Sequence, residues 1–304
     1  MPARRLRPLD LASGRTGLLC VIGDLVEDIV VWPVAPVQAA TDNPAAVYRT
    51  RGGSGANVAA LAAPFVPTRF VGCVGDDATG RWLADELAAS GADVRLERGS
   101  RTGCVVVVVD PSGERTMFPD RAAAAELSAA ATAWMDGVDV LHIPAYAFQG
   151  GTTATTVVAL ADAVRAAGGV VTLDASAASL VRTLGGERFA RLVERVGARL
   201  LFANRDEADA LGDAPLGDCA LVIKHGPDPA IVLVPGEAAV EVPALEVEGV
   251  RDTTGAGDAF AAGTLAAWLH GADLVEACAA GHRAAATVLT NPGAAPSTEG
   301  SDIS

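Results

Sequence analysis

Short apolar runs alternate with stretches of helical period along most of this chain. Runs rich in Val, Ile and Leu at residues 18–22, 28–31, 69–74, 138–143, 170–173, 200–203 and 221–224 read as strands. Residues 57–63, 80–90, 152–167, 189–196, 207–211, 258–269 and 274–288 read as helices, the first stopped by Pro64 and the second by Gly91. Two hairpins are predicted, residues 104–109 with 116–118 through Asp110-Pro111-Ser112-Gly113, and residues 231–234 with 239–242. Pro33, Pro36 and Pro44 mark an irregular stretch. Alternating strand and helix predicts an α/β chain with a mainly parallel central sheet and helices on both faces. No internal repeat and no long linker appears, so residues 1–304 are expected to form a single domain.

Composition narrows the possible partners. Half of the residues are hydrophobic, enough for a sizeable core. The formal net charge is −14, which disfavours nucleic acid and anionic membrane surfaces as partners. A phosphate site on such a chain has to be built locally, from backbone amides and metal. Cys20, Cys73, Cys104, Cys219 and Cys278 show no paired spacing, which fits a reducing cytoplasm better than a disulfide framework or a zinc site. Arg4, Arg5 and Arg7 precede no long apolar run and read as a frayed tail rather than a signal peptide. No run reaches the ~18 apolar residues of a spanning helix.

The stretch Asp252-Thr253-Thr254-Gly255-Ala256-Gly257-Asp258-Ala259-Phe260 holds the candidate chemistry. Glycines there let the backbone turn tightly, and the helix that follows presents unpaired N–H groups that suit a phosphate. Asp258 sits at the same spot. It reads either as a helix N-cap or as the acceptor of a hydroxyl proton in phosphoryl transfer. A second Gly-rich turn, Arg51-Gly52-Gly53-Ser54-Gly55-Ala56-Asn57, opens another helix some two hundred residues upstream.

Together the two segments resemble the paired signatures of the ribokinase-like carbohydrate kinases, the PfkB family. Residues 21–28, ending at Asp28, resemble the family's first strand and its sugar-binding Asp. Residues 70–77 with Gly80, the N-x-x-E of Asn204 to Glu207, and Lys224-His225-Gly226 match further family blocks in the same order. The resemblance implies an ATP-dependent kinase for a hydroxyl, primary by expectation, of a small sugar. It also implies a small β lid from elements near 28–50 and 95–120. Asp258 would be the catalytic base and the amides of Gly255, Ala256 and Gly257 the anion cradle. Asp28, Gly52, Gly53 and Asn57 would bind the acceptor. Asn204, Lys224, Gly226 and His282 would lie along the nucleotide. Glu207 would handle Mg²⁺ through water, although Asn204 and Glu207 also have the spacing of a capping box. Asp252, Thr254, Gly293 and Ser297 would surround a monovalent cation, K⁺ by expectation.

The chain departs from ribokinase proper in two places. Ser54 stands where ribokinase has a Lys, and the run Leu141-His142-Ile143-Pro144-Ala145-Tyr146 lacks the Glu that holds ribose. A Tyr after that strand resembles other sugar and nucleoside kinases of the family. A nucleoside kinase of the adenosine or pseudouridine type is therefore the alternative enzyme, and a non-catalytic sugar- or nucleotide-binding regulator the alternative of another class. Tyr146 and the Asp120-Arg121 pair reach a substrate or fill a loop. The oligomeric state is not legible, a homodimer being one option.

Overall fold

A computed structural model of the chain describes residues 17–110, 114–250 and 252–290. The elements are, in order, β1 (Leu19–Ile22), β2 (Val26–Pro33), β3 (Ala45–Gly52), α1 (Ser54–Ala62), β4 (Thr68–Gly75), α2 (Ala78–Ala89), β5 (Asp93–Gly99), β6 (Cys104–Val109) and β7 (Arg115–Asp120). There follow β8 (Val140–Pro144), α3 (Thr153–Ala166), β9 (Val170–Asp174), α4 (Ala178–Leu184), α5 (Gly186–Val196), β10 (Ala198–Asn204) and α6 (Arg205–Leu211). The chain continues through β11 (Ala220–Lys224), β12 (Ala230–Leu233), β13 (Val240–Val242), α7 (Ala256–Leu269) and α8 (Leu274–Val288).

Nine strands form the main sheet in the order β13-β12-β11-β10-β9-β8-β1-β4-β5. From β5 to β11 every neighbouring pair is parallel, and β12 and β13 close one edge antiparallel. A parallel sheet must be covered on both faces, and its inner strands read as unbroken apolar runs. β1 is such a strand, fully buried along its length. Its pleat divides two cores. Leu19 and Val21 join the core under α1, α7 and α8, while Cys20 and Ile22 join the one under α3 and α5. β10 divides in the same way, Leu200 and Phe202 on the first side, Leu201 and Ala203 on the second.

α7 is apolar nearly all round because it lies between α1, α8 and the sheet rather than at a surface. Trp268, 1% exposed, closes that core at the end of α7 away from its Gly-rich start. Small residues let α8 approach closely, since a Cβ on Gly263 would lie 2.6 Å from that of Ala284.

A second sheet, β3-β2-β6-β7, stands apart from the main one. β2 pairs antiparallel with β3 and parallel with β6, and β6 pairs antiparallel with β7. Two strands of the fold, one in each sheet, were not expected from the sequence. β3 falls in the stretch read as irregular; residues 45–50 are exposed, so its Ala-Ala-Val-Tyr-Arg-Thr pattern shows no buried alternation and the ladder to β2 holds it. β5, Asp-Val-Arg-Leu-Glu-Arg-Gly, is a charged edge strand. It pairs with β4, so residues 95–99, expected in the lid, belong to the main sheet. The turn through residues 111–113 lies outside the described residues.

The fold makes a stability prediction remote from any chemistry. Trp268→Ala should cost about 3–5 kcal/mol through lost burial and the cavity left behind. A urea midpoint reads the loss, and it should leave Michaelis constants unmoved, because Trp268 is at the far end of α7.

Candidate active site

Several of the polar groups that meet here lie at, or just beyond, the carboxyl end of a parallel strand. Asp24 follows β1, Tyr146 follows β8, Asp174 ends β9, Asn204 ends β10 and Lys224 ends β11. This is the rim where open parallel sheets bind ligands, because strands end and helices begin there together.

α7 starts at this rim. Its N-cap is Gly255, at φ 73°, a left-handed conformation that glycine adopts without strain. The N-cap makes no side-chain hydrogen bond to the first turn, and although Ala256 N donates to the Thr253 carbonyl at 3.2 Å, the helix start still presents its positive end to an anion. Lys224 reaches the same place, its Nζ 3.4 Å from where a Cβ on Gly257 would sit. The turn therefore combines helix amides with a fixed ammonium.

Asp258 does not cap its own helix. Its Oδ1 accepts from Ser54 Oγ at 2.7 Å and its Oδ2 from Asn57 Nδ2 at 2.9 Å, both on α1. The two Gly-rich segments thus meet on one carboxylate. Burial raises its pKa to about 6, the Ser54 and Asn57 donors oppose that rise, Asp174 adds to it and Lys224 opposes it. Arg51, a side chain 7% exposed, donates to Asn57 Oδ1 at 3.0 Å. That contact turns the amide so that its NH₂ faces Asp258.

On the other side of Asp258 lies the small sheet. Asp28 projects from β2 over Gly52, where any Cβ would overlap its carboxylate. Gly53, at φ 101°, would overlap the Asp24 carbonyl if it carried a side chain. Burial raises Asp28 to about pKa 6, with Arg115 and Arg51 opposing and Asp258 reinforcing. Arg121 grips Asp24 with two hydrogen bonds of 2.7 Å and donates to the Gln149 carbonyl at 2.9 Å, so it is tied into the cleft wall. Burial raises the Tyr146 hydroxyl to about 12, and Glu207, Asp174, Asp258 and Asp24 add to the rise.

A second polar cluster lies beside the anion cradle. Lys224 Nζ bonds Asp174 Oδ2 at 2.7 Å. Burial would lower the lysine's pKa, but Asp174 and Glu207 outweigh it, so the ammonium stays charged. Glu207 is buried and pushed up, first by burial and then by Asp174, with Lys224 opposing. Asn204 and Glu207 form the capping box that their spacing allows: Asn204 N donates to Glu207 Oε2 at 2.7 Å and Glu207 N donates to Asn204 Oδ1 at 2.8 Å. Among the described residues no three His, Cys, Asp or Glu side chains are placed to hold a metal directly.

The remaining expected residues fall less simply. Asp252 Oδ1 accepts from Thr254 N at 2.8 Å, Thr254 Oγ1 at 2.7 Å and Arg115 of β7 at 2.6 Å. That oxygen is filled by the chain's own donors, and Gly293 and Ser297 lie outside the described residues. His282 is buried, its Nε2 3.1 Å from the Val242 carbonyl and its ring edge-on to Phe260 at 5.0 Å. These contacts join α8 to β13 and α7. Gly226 sits exposed past the end of β11 at φ 62°. Asp174, Arg51 and Arg115 were missed in the sequence. Asp174 had one signal, its place directly after a strand run and so at the sheet's ligand-binding rim.

A helix start with a lysine beside it and a buried carboxylate bound from α1 meet at the rim of a mostly parallel sheet, equipment that suits phosphoryl transfer on a ribokinase-like fold. Residues 17–300 match the family described as pfkB family carbohydrate kinase, and the chain belongs to it. It is 32% identical over 239 residues to an ATP-dependent ribose-1-phosphate kinase of Halopiger xanaduensis, covering 74% of this chain and 76% of that one. It is 31% identical over 278 residues to a fructokinase of Klebsiella pneumoniae, covering 82% and 84%. The crystal structure of adenosine kinase from Sinorhizobium meliloti superposes with a TM-score of 0.81 at 24% identity, covering 93% and 96%. The chain is thus a carbohydrate kinase by family, with a nucleoside kinase as its structural neighbour.

The Asp174–Lys224–Glu207 cluster predicts a sharp response to losing its one cation. Lys224→Met leaves Asp174 buried without the ammonium it bonds, with Glu207 beside it, and should cost about 3–5 kcal/mol at neutral pH. Protonating either carboxylate relieves the repulsion, so the deficit should shrink on acidification. Urea unfolding of both proteins at pH 5 and pH 8 checks the sign.

Proposed function

We propose that the protein transfers the γ-phosphoryl group of ATP to a hydroxyl, primary by preference, of a small neutral sugar. The observation that supports this most is Asp258, held by α1 yet seated at the uncapped start of α7 beside Lys224. In this reading Asp28 and the Gly52–Gly53 turn bind the acceptor's hydroxyls and point one at Asp258. As the acceptor oxygen forms its bond to the γ-phosphorus, its proton passes to Asp258 and the bond to the β,γ-bridging oxygen breaks, releasing ADP. The amides of Gly255, Ala256 and Gly257, with Lys224, offset the charge on the transferring group.

Magnesium bound to the nucleotide's phosphates supplies further charge neutralisation. Asp174 and Glu207, two acids against one lysine, fit a contact to it through water. Asp252 and Thr254 fit a monovalent cation poorly, since Asp252 Oδ1 already holds three donors, and no step is routed through one.

Neutrality of the acceptor follows from the arginines. Arg121 is held by Asp24, Arg115 by Asp252 and Arg51 by Asn57 and Glu86, leaving the carboxylate of Asp28 facing the pocket. A nucleoside is the second reading, favoured by Tyr146 at the rim just beyond β8, against whose ring a base could stack.

Two results follow. Asp258→Asn should lower kcat by about 10² or more while the KM for ATP changes little, since the amide keeps shape but takes no proton. Near-normal turnover would reduce Asp258 to a structural residue. A coupled ADP-release screen across pentoses, hexoses, keto-deoxy acids and nucleosides should select a neutral sugar other than ribose, or a nucleoside. A clear kcat/KM preference for ribose or for a sugar acid contradicts the pocket assignment.

A further inference from the structure

The small sheet and the catalytic turn are joined by an ion pair that spans 137 residues of sequence. Register and pleat put Asp28, Val105, Val109 and Arg115 on one face of that sheet: Asp28 pairs with Val105, Val109 lies four residues further along β6, and Arg115 pairs with Val109. This face holds Asp28 over the acceptor pocket. Arg115, 22% exposed, reaches from it to Asp252, 12% exposed, and donates to Oδ1 at 2.6 Å. The same oxygen takes both Thr254 donors, and Thr254 immediately precedes Gly255, the N-cap of α7. Ala256 N in turn donates to the Thr253 carbonyl at 3.2 Å. A guanidinium on the cover therefore fixes the carboxylate around which the anion cradle turns. Charge-assisted bonds of this length in a half-desolvated place are the strong kind.

We propose that Arg115 is a positioning residue for phosphoryl transfer, setting the Thr254–Gly257 turn through Asp252 when the small sheet lies over the acceptor. The proposal rests on the kinase reading. Arg115 touches neither reacting group in this arrangement. It orders the turn, so its loss slows transfer at saturating substrate rather than weakening nucleotide binding.

The test uses the full chain with Arg115→Gln, Arg115→Lys, Asp252→Asn and the Arg115→Gln/Asp252→Asn double variant. Misplacing a reacting group by about 1 Å can cost up to about a hundredfold, so Arg115→Gln is expected to lower kcat about tenfold or more. The KM for ATP should stay within about twofold, and Arg115→Lys should recover part of the rate. The two single losses should not multiply in the double variant, because both remove the same contact. Hydrogen exchange of residues 252–257 should quicken in Arg115→Gln while the thermal midpoint stays near that of the parent. Unchanged kcat, or losses that multiply in the double variant, overturns the proposal. If the parent protein phosphorylates no acceptor, the kinase reading fails, and exchange alone decides the contact: unchanged exchange in Arg115→Gln then overturns it.

Discussion

One carboxylate holds the two halves of this chain in working order. Asp258 starts α7, yet both its oxygens are bound by α1, two hundred residues away in sequence. The arrangement sets two demands against each other. Burial and the nearby Asp174 push its pKa up, towards a useful base near neutral pH, while Ser54 and Asn57 pull it down and keep it ionised. Arg51 acts through Asn57, whose amide it turns, and its charge also faces Asp258. The glycines around this point answer to the same crowding. Gly52 lies under Asp28 and Gly53 against the Asp24 carbonyl, so the turn that brings α1 to Asp258 has no room for side chains.

Charge pairing organises the rest of the rim. On this acidic chain the helix start of α7 is joined by a single lysine, which stays charged because Asp174 and Glu207 outweigh its burial. Arg121 and Arg115 are each held by a carboxylate of the cleft wall or the catalytic turn, Asp24 and Asp252. They tie the wall and cover together, and Arg115 also lends its charge to Asp28. In the proposed reading the same pairing leaves Asp28 to meet the acceptor's hydroxyls.

Much of this was legible in the sequence, and the limits have physical causes. The inner parallel strands are buried along most of their length, so β1, β8 and β10 announce themselves as apolar runs. β3 and β5 carry charged or small exposed residues and are held by ladder hydrogen bonds, which leave no periodicity to read. Gly255 to Asp258 and Gly52 to Asn57 stood out because tight turns before helices restrict residue type. Asp174, Arg51 and Arg115 did not, since each acts through a contact 50, 6 or 137 residues away and a lone charged residue at a strand end or turn usually marks only solvent. The spacing of Asn204 and Glu207 allowed a capping box or metal handling. The structure shows the box, and the raised pKa of Glu207 shows that capping leaves the charge balance of that cluster unsettled.

The pH dependence of kcat/KM for the acceptor, at saturating ATP, tests the role of Asp258 most directly. The account predicts a rate that climbs with pH through about 6 and levels off above it, as Asp258 loses its proton. It also predicts that Ser54→Ala moves this limb to higher pH, because that change removes a donor that favours the ionised form. A profile flat from pH 5 to 8, or a limb that Ser54→Ala leaves in place, would contradict the assignment of Asp258 as the proton acceptor.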